Sequence, residues 1–263
     1  MELGLQGKTA FVSGSTQGIG FAIASALAAE GVRVIVNGRH RDGVDAAVAE
    51  LRGATPGSDH SGLVADLSKP DDVARLVEKL GDVDILVNNA GLFGLADFAS
   101  ISDAEWARYF EVNVMSGVRL SRKVLPGMLE RGWGRVVFIS SESGVNVPAD
   151  MVHYGVTKAA MIALGNGMAK LTRGTAVTVN TVLGGPTYSD GVAATVESIA
   201  ESQSAPVDAV KAAIIGQNTT TLLERFLDPT EIASLVAYLS SPLASATNGA
   251  AIRADGGVLT SML

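Results

Sequence analysis

The chain has 263 residues, no cysteine, three histidines and a formal net charge of −7. Without cysteine there is no disulfide framework, thiolate metal site or cysteine nucleophile, and three scattered histidines argue against a metal centre. The acidic balance argues equally against nucleic acid and anionic membrane surfaces, which call for clustered Lys and Arg.

From the N-terminus onward, apolar β-rich runs alternate with helical patterns. The runs cover residues 9–13, 32–37, 61–65, 85–88, 135–140, 176–182 and 250–253; the helical patterns cover 19–30, 44–51, 71–80, 103–131, 154–172 and 230–239. This alternation predicts βαβ units on a parallel sheet, and the nearly continuous apolar character of the runs predicts strands covered on both faces. Ser102, three residues before Glu105, and the acids Asp71 and Asp72 after Pro70 mark helix starts. The uncharged stretches 9–29 and 232–252 are interrupted by Ser, Gly, Pro and Asn, so they are read as turns between packed elements rather than membrane spans. With no basic region before an unbroken apolar run, a soluble cytoplasmic protein is expected. No linker or internal repeat divides residues 1–263, which are read as one domain. Segment 186–227 stands out as polar, rich in Ala, Thr and Ser, and only weakly periodic. A segment of this length beyond a strand end is expected to be a lid over a substrate pocket.

The 30 glycines concentrate attention on Ser13-Gly14-Ser15-Thr16-Gln17-Gly18-Ile19-Gly20, between the first strand and first helix. Backbone N–H groups at a helix N-terminus hold a pyrophosphate there, and side chains would obstruct its approach. Asp66 follows the third strand, where an acid accepts from an adenine amino group, and Asn88-Asn89-Ala90-Gly91 follows the fourth. Asn88 is expected to satisfy backbone groups where neighbouring strands separate. The second strand ends in Asn37-Gly38-Arg39-His40-Arg41. With no acid in that turn, Arg39 and Arg41 are placed to fork onto a 2′-phosphate, which favours NADP; Asn37 can still serve an unphosphorylated ribose, leaving NAD open.

Tyr154 and Lys158 stand at i and i+4 on one helix face, where a nearby ammonium favours the phenolate. Ser141 ends the fifth strand and is positioned to polarise a carbonyl oxygen. Asn113, an amide in the middle of the 103–131 helix, invites a functional explanation such as a water link to Lys158. His153 is expected to point away from Tyr154, Glu142 to contact substrate or be solvated, and Met151 and Val152 to line a pocket mouth or staple the helix.

Taken together in this order and spacing, the glycine turn, Asn88-Asn-Ala-Gly91, Asn113, Ser141, Tyr154 and Lys158 resemble the short-chain dehydrogenase/reductase family, in its compact single-domain branch of 3-oxoacyl-[acyl-carrier-protein] reductase-like oxidoreductases. The resemblance spans essentially the whole chain. It implies a doubly wound Rossmann sheet of seven parallel strands in the order 3-2-1-4-5-6-7. It also implies homotetramers or homodimers, and hydride transfer from nicotinamide C4 between a ketone and a secondary alcohol. The implied roles are Tyr154 as proton donor and acceptor, Lys158 as the group that holds the nicotinamide ribose and lowers the tyrosine pKa, Ser141 as orienter of the carbonyl, and Asn113 as support for a proton relay. Cofactor contacts are expected at Gly14, Ser15, Thr16, Gly18, Ile19, Gly20, Asn37, Arg39, Arg41, Asp66, Leu67, Asn89, Ala90, Gly91, Tyr154 and Lys158, and at Gly185, Pro186 and Thr187 after the sixth strand. Two departures from the family pattern are Ser13 for the usual Thr, and Gly184-Gly185 for the usual Pro-Gly. The readings left open are a non-catalytic dinucleotide-binding sensor and, among enzymes, a sugar or polyol dehydrogenase using NAD. A small-molecule carbonyl or alcohol is the expected substrate; its identity is open.

Overall fold

The computed structural model describes residues 2–262. Seven strands form one parallel sheet: β1 (Thr9–Val12), β2 (Arg33–Gly38), β3 (Ser61–Val64), β4 (Ile85–Asn88), β5 (Trp133–Ser141), β6 (Ala176–Gly184) and β7 (Ala251–Ala254). They lie in the order β3-β2-β1-β4-β5-β6-β7. The resemblance implied this order, and it puts the switch point between β1 and β4, where the crevice for a ligand opens beyond the strand ends.

The strand sequences explain the layering. Successive side chains point to opposite faces, so Ala10, Val12, Ile85, Val87, Val137 and Ile139 enter one apolar cluster, while Phe11, Leu86, Val136, Phe138, Val177 and Val179 enter the other. The first cluster is closed by helices α1 (Gly18–Ala29) and α2 (Arg41–Ala54). The second is closed by α3 (Pro70–Lys79) and the later helices of the 103–169 region. Both faces being covered is why the strands lack a polar alternation.

The continuous helix expected over 103–131 is three pieces in the structure: α4 (Asp103–Phe110), a turn of π-helix (Glu111–Met115) and α5 (Ser116–Glu130). Ser102 caps α4 by accepting from the Glu105 N–H at 3.2 Å. The wide turn carries Asn113, whose side-chain amide bonds to Leu92 in the chain after β4. Single π-turns of this kind cluster at functional sites. Helix α6 (Val152–Ala169) follows β5 and carries Tyr154 and Lys158. The 186–227 segment contains α7 (Asp190–Gln203) and α8 (Val207–Gln217), which pack on each other around Val196, Ala200 and Val210. That apolar seam is small, which accounts for its weak periodicity. Helix α9 (Pro229–Ser240) opens with a capping box between Asp228 and Glu231. No helix of the described residues is long and apolar enough to cross a membrane.

Candidate active site

A cavity of about 610 Å³ lies along the carboxyl ends of the strands, within the size range of cofactor and small-molecule sites. Its floor is the turn between β1 and α1. Gly14 has φ of +59°, and a side chain on Gly20 would put its Cβ 2.2 Å from the Gly14 carbonyl oxygen. Gly14 is therefore required by its left-handed backbone and Gly20 by its packing against Gly14. Ser13 ties the turn to β4: its hydroxyl donates to the Val87 carbonyl and accepts from the Asn89 and Ala90 N–H groups. The Asn89 amide donates to the Ser13 and Gly14 carbonyls at 3.0 and 2.9 Å. The backbone-bridging role expected of Asn88 thus falls to its neighbour. Asn88 itself is buried and donates to the Ser121 hydroxyl.

Helix α1 starts with neither a side-chain cap nor an acid in its first turn. Gly18, Ile19 and Gly20 line the cavity there, so the positive end of the helix dipole and the N–H groups of Ile19 and Gly20 are available to an anion in it. The 186–227 segment reaches this same point: the Gly18 N–H donates to Asp190 Oδ2 at 2.6 Å.

The expected cofactor contacts separate into those on the cavity wall and those behind it. Gly14, Thr16, Gly18, Ile19, Gly20, Asn37, Arg39, Asp66, Leu67, Asn89, Ala90, Gly91, Tyr154 and Lys158 line it. Ser15 is fully buried, its hydroxyl donating to the Val12 carbonyl and accepting from the Asn37 N–H. Asn37 has its amide committed at both ends, accepting from the Gly14 N–H and donating to the Leu63 carbonyl. Arg41 opens α2 and turns along that helix, 3.8 Å from Asp45. Gly185 packs against the Asp255 backbone, and Thr187 donates its hydroxyl back to the Gly185 carbonyl. Gly185, Pro186 and Thr187 lie outside the wall, where the 186–227 segment instead presents Ser189 and Gly191. His40, Phe93 and Arg108 also line the cavity without having been singled out in the sequence. His40 was signalled only by its place between two arginines, and the others come from loops and helices whose approach is set by tertiary packing.

At Asp66, burial pushes the carboxyl up, but the Ser68 hydroxyl and N–H and the charges of Lys69 and Arg39 outweigh it and leave the pKa below the usual value. Arg39 and Asp66 both line the same end of the cavity, close enough for the guanidinium to favour the Asp66 carboxylate.

At the other end, β5, α6 and the π-turn bring four side chains together. Asn113 is buried; its Oδ1 accepts from the Leu92 N–H at 2.7 Å, and its Nδ2 donates to the Leu92 carbonyl and the Thr157 hydroxyl. Asn113 thus clamps the chain that follows Gly91. A side chain on Gly91 would stand 3.4 Å from Lys158 Nζ and 3.6 Å from Asn113 Oδ1. Lys158 is 5% exposed. Its ammonium donates to the Ile139 carbonyl at 2.8 Å and lies 5.5 Å from the centre of the Tyr154 ring. Burial pulls its pKa down to about 8. Burial pushes the Tyr154 phenol up; the Ser141 hydroxyl partly offsets this, while Glu142 and Tyr109 add to it. Ser141 Oγ donates to Glu142 Oε2 at 2.8 Å and accepts from the Ser143 N–H at 3.1 Å. His153 turns away from Tyr154, its ring 4.1 Å from that of Tyr109 and 6.3 Å from that of Trp106.

A strand–glycine turn–helix cradle leading to a half-buried Tyr154, a buried Lys158 and a strand-end serine matches a known protein family. The family model for short chain dehydrogenases matches residues 8–200. The chain belongs to the short-chain dehydrogenase family. It is 46% identical over 266 residues to the oxidoreductase YvrD of Bacillus subtilis, with all of both chains covered. It is 35% identical over 257 residues to the D-beta-hydroxybutyrate dehydrogenase of Cupriavidus necator, covering 96% of this chain and 98% of that one. The structure of L-sorbose reductase from Gluconobacter frateurii, complexed with NADPH and L-sorbose, matches it with a TM-score of 0.94 at 29% identity over the full length of both. As a short-chain dehydrogenase, the protein is an NAD(P)-dependent oxidoreductase acting on CH–OH and C=O groups.

Proposed function

We propose that this short-chain dehydrogenase is an NADPH-preferring carbonyl reductase that converts a ketone to a secondary alcohol, with Tyr154 as general acid. The observation that carries the proposal is the placement of Tyr154 and Lys158 on the wall at one end of a cavity whose other end holds Arg39, with Ser141 hydrogen-bonded to Tyr154. When bound, the nicotinamide supplies a hydride to the carbonyl carbon. The chain supplies the rest. Its raised pKa keeps the Tyr154 phenol protonated at neutral pH, the form that donates to an oxygen gaining electron density. The Ser141 hydroxyl lies beside the phenol, the Asn113 clamp fixes the loop after Gly91, and Lys158, tied to the Ile139 carbonyl, would hold the nicotinamide ribose. Segment 186–227 acts as a lid: Asp190 latches it to the glycine turn and Ser189 and Gly191 form part of the wall. Enclosing the site excludes water and strengthens the electrostatics within it.

The preference for NADP rests on Arg39 alone, because Arg41 is turned to Asp45 and Asn37 is spent on the backbone. Losing charge-assisted bonds to a 2′-phosphate costs about 1.5–3 kcal/mol, so Arg39→Ala is expected to raise KM for NADPH by about ten- to a hundredfold and that for NADH by less than about twofold. Initial rates with both cofactors measure this, and an equal loss for the two would refute the assignment. The function itself is tested by following NADPH oxidation across a panel of ketoses, 3-oxoacyl thioesters and cyclic ketones. Turnover of at least one class is expected; tight NADPH binding with no turnover in any class would instead support a dinucleotide-binding sensor.

A further inference from the structure

The catalytic serine of the proposed reaction has a neighbour with no place in that mechanism. Ser141 ends β5 and Glu142 begins the turn that follows, and the serine proton is given to the Glu142 carboxylate at 2.8 Å. A hydroxyl has one proton and two lone pairs. One lone pair of Ser141 already accepts from the Ser143 N–H. With Glu142 ionised, the proton points at the carboxylate and only a lone pair is left to face a substrate carbonyl, which is itself an acceptor. With Glu142 protonated, its O–H fills the second lone pair, and the serine proton is released toward the Tyr154 phenol oxygen and a substrate oxygen beside it.

We propose that Glu142 is the positioning residue of Ser141: as a carboxylic acid it turns the serine hydroxyl into a donor toward the ketone, and as a carboxylate it draws that proton away. No bond is made or broken in this switch beyond the gain or loss of one proton by Glu142 from solvent. The proposal rests on the reductase reading above.

The surroundings of Glu142 favour the protonated form. Burial pushes its carboxyl up; the Ser143 and Ser141 hydroxyls oppose that, and Asp255 adds to it. Asp255 follows β7 and is held ionised by the N–H groups of Leu259 and Gly257 and by Arg253, which outweigh its own burial. Its charge therefore persists while Glu142 titrates. From α6, the groups facing Glu142 are the Tyr154 phenol and, beyond it, Lys158. No cation is among the groups acting directly on Glu142 among the described residues.

The test is the pH profile of kcat/KM for a ketone that carries no ionisable group, at saturating NADPH. Wild type is expected to fall tenfold per pH unit above the Glu142 pKa, in a limb separate from the alkaline limb of Lys158 near pH 8. Glu142→Gln, whose amide donates to Ser141 at every pH, is expected to lack the first limb and to exceed wild type by about tenfold one pH unit above it. Ser141→Ala is expected to lose about a hundredfold in rate and to lack the same limb in its residual activity. A Glu142→Gln profile parallel to that of wild type would overturn the proposal. So would a loss restricted to hydroxylated ketones, which would place Glu142 on the substrate instead. Should Glu142→Gln fail to fold, persistence of the limb in Ser141→Ala overturns the proposal as well. Absence of wild-type turnover with every ketone would count against the reductase reading rather than against the switch.

Discussion

Tyr154→Phe is expected to reduce kcat for ketone reduction by about 10²- to 10⁴-fold, the contribution of a positioned general acid, while NADPH binding changes little. The substitution removes one oxygen and its proton. The ring stays on α6 beside Lys158, whose ammonium sits 5.5 Å from the ring centre and is held by the Ile139 carbonyl. No other group is placed to take over. His153 is packed against Tyr109 on the far side, and the Ser141 proton is shared with Glu142. Rapid-mixing kinetics separate the two effects: cofactor fluorescence reports binding, and loss of reduced-nicotinamide absorbance reports chemistry. Retention of more than about a tenth of the wild-type rate would remove Tyr154 from the proton-transfer role.

Lys158→Met is expected to abolish activity and yet make the folded chain more stable. Burial drops the lysine from an ordinary 10.5 to about 8, which at neutral pH corresponds to about 3 kcal/mol of unfavourable free energy in the folded state. Against this stands the hydrogen bond to the Ile139 carbonyl, about 1 kcal/mol. Methionine fills a similar volume without the charge, so a net gain of about 2 kcal/mol is expected in chemical denaturation near pH 7. The sign of the pH dependence follows from linkage. Between about 8 and 10.5 the unfolded chain still binds the proton that the folded chain has released, so wild-type stability rises with pH in that window. The advantage of Lys158→Met is therefore full below about pH 8 and closes by about 10.5. A variant less stable than wild type at pH 7, or a gap independent of pH, would show that the ammonium is not desolvated as described. A stabilised, inactive variant would mark Lys158 as a residue kept for chemistry at a cost to the fold.

The sheet was legible because its physics is local. Strands covered on both faces must be apolar at every position, and runs such as Ile85–Asn88 have no other reading in a chain that alternates with helices. The tyrosine and lysine were legible because a helix fixes the relation of i to i+4. What lay hidden depended on partners far along the chain. Asn113 was conspicuous as an amide in a helix, but nothing local indicates that Leu92 is its partner or that the helix widens there. Asn37 and Ser15 sit in a motif that points to a nucleotide, yet their polar atoms are used to hold β1, β2 and β3 in register behind it. Arg39 and Arg41 look equivalent in the sequence; the start of α2 at Arg41 sends the second along the helix toward Asp45. Ser13 reads as a mild exchange of one hydroxyl for another, and the structure shows why a hydroxyl must be kept there: it bonds three separate backbone groups of β4 and the loop beyond.

The most direct test of the proposed function is isotopic. The enzyme is supplied with NADPH deuterated at nicotinamide C4 and the best ketone from the panel, and the alcohol product is analysed by mass spectrometry. The expected result is deuterium at the carbinol carbon from one of the two C4-labelled forms and none from the other, lost together with turnover in Tyr154→Phe. Alcohol formed without deuterium from either form, or no alcohol from any ketone while NADPH stays bound, would contradict hydride transfer at this site.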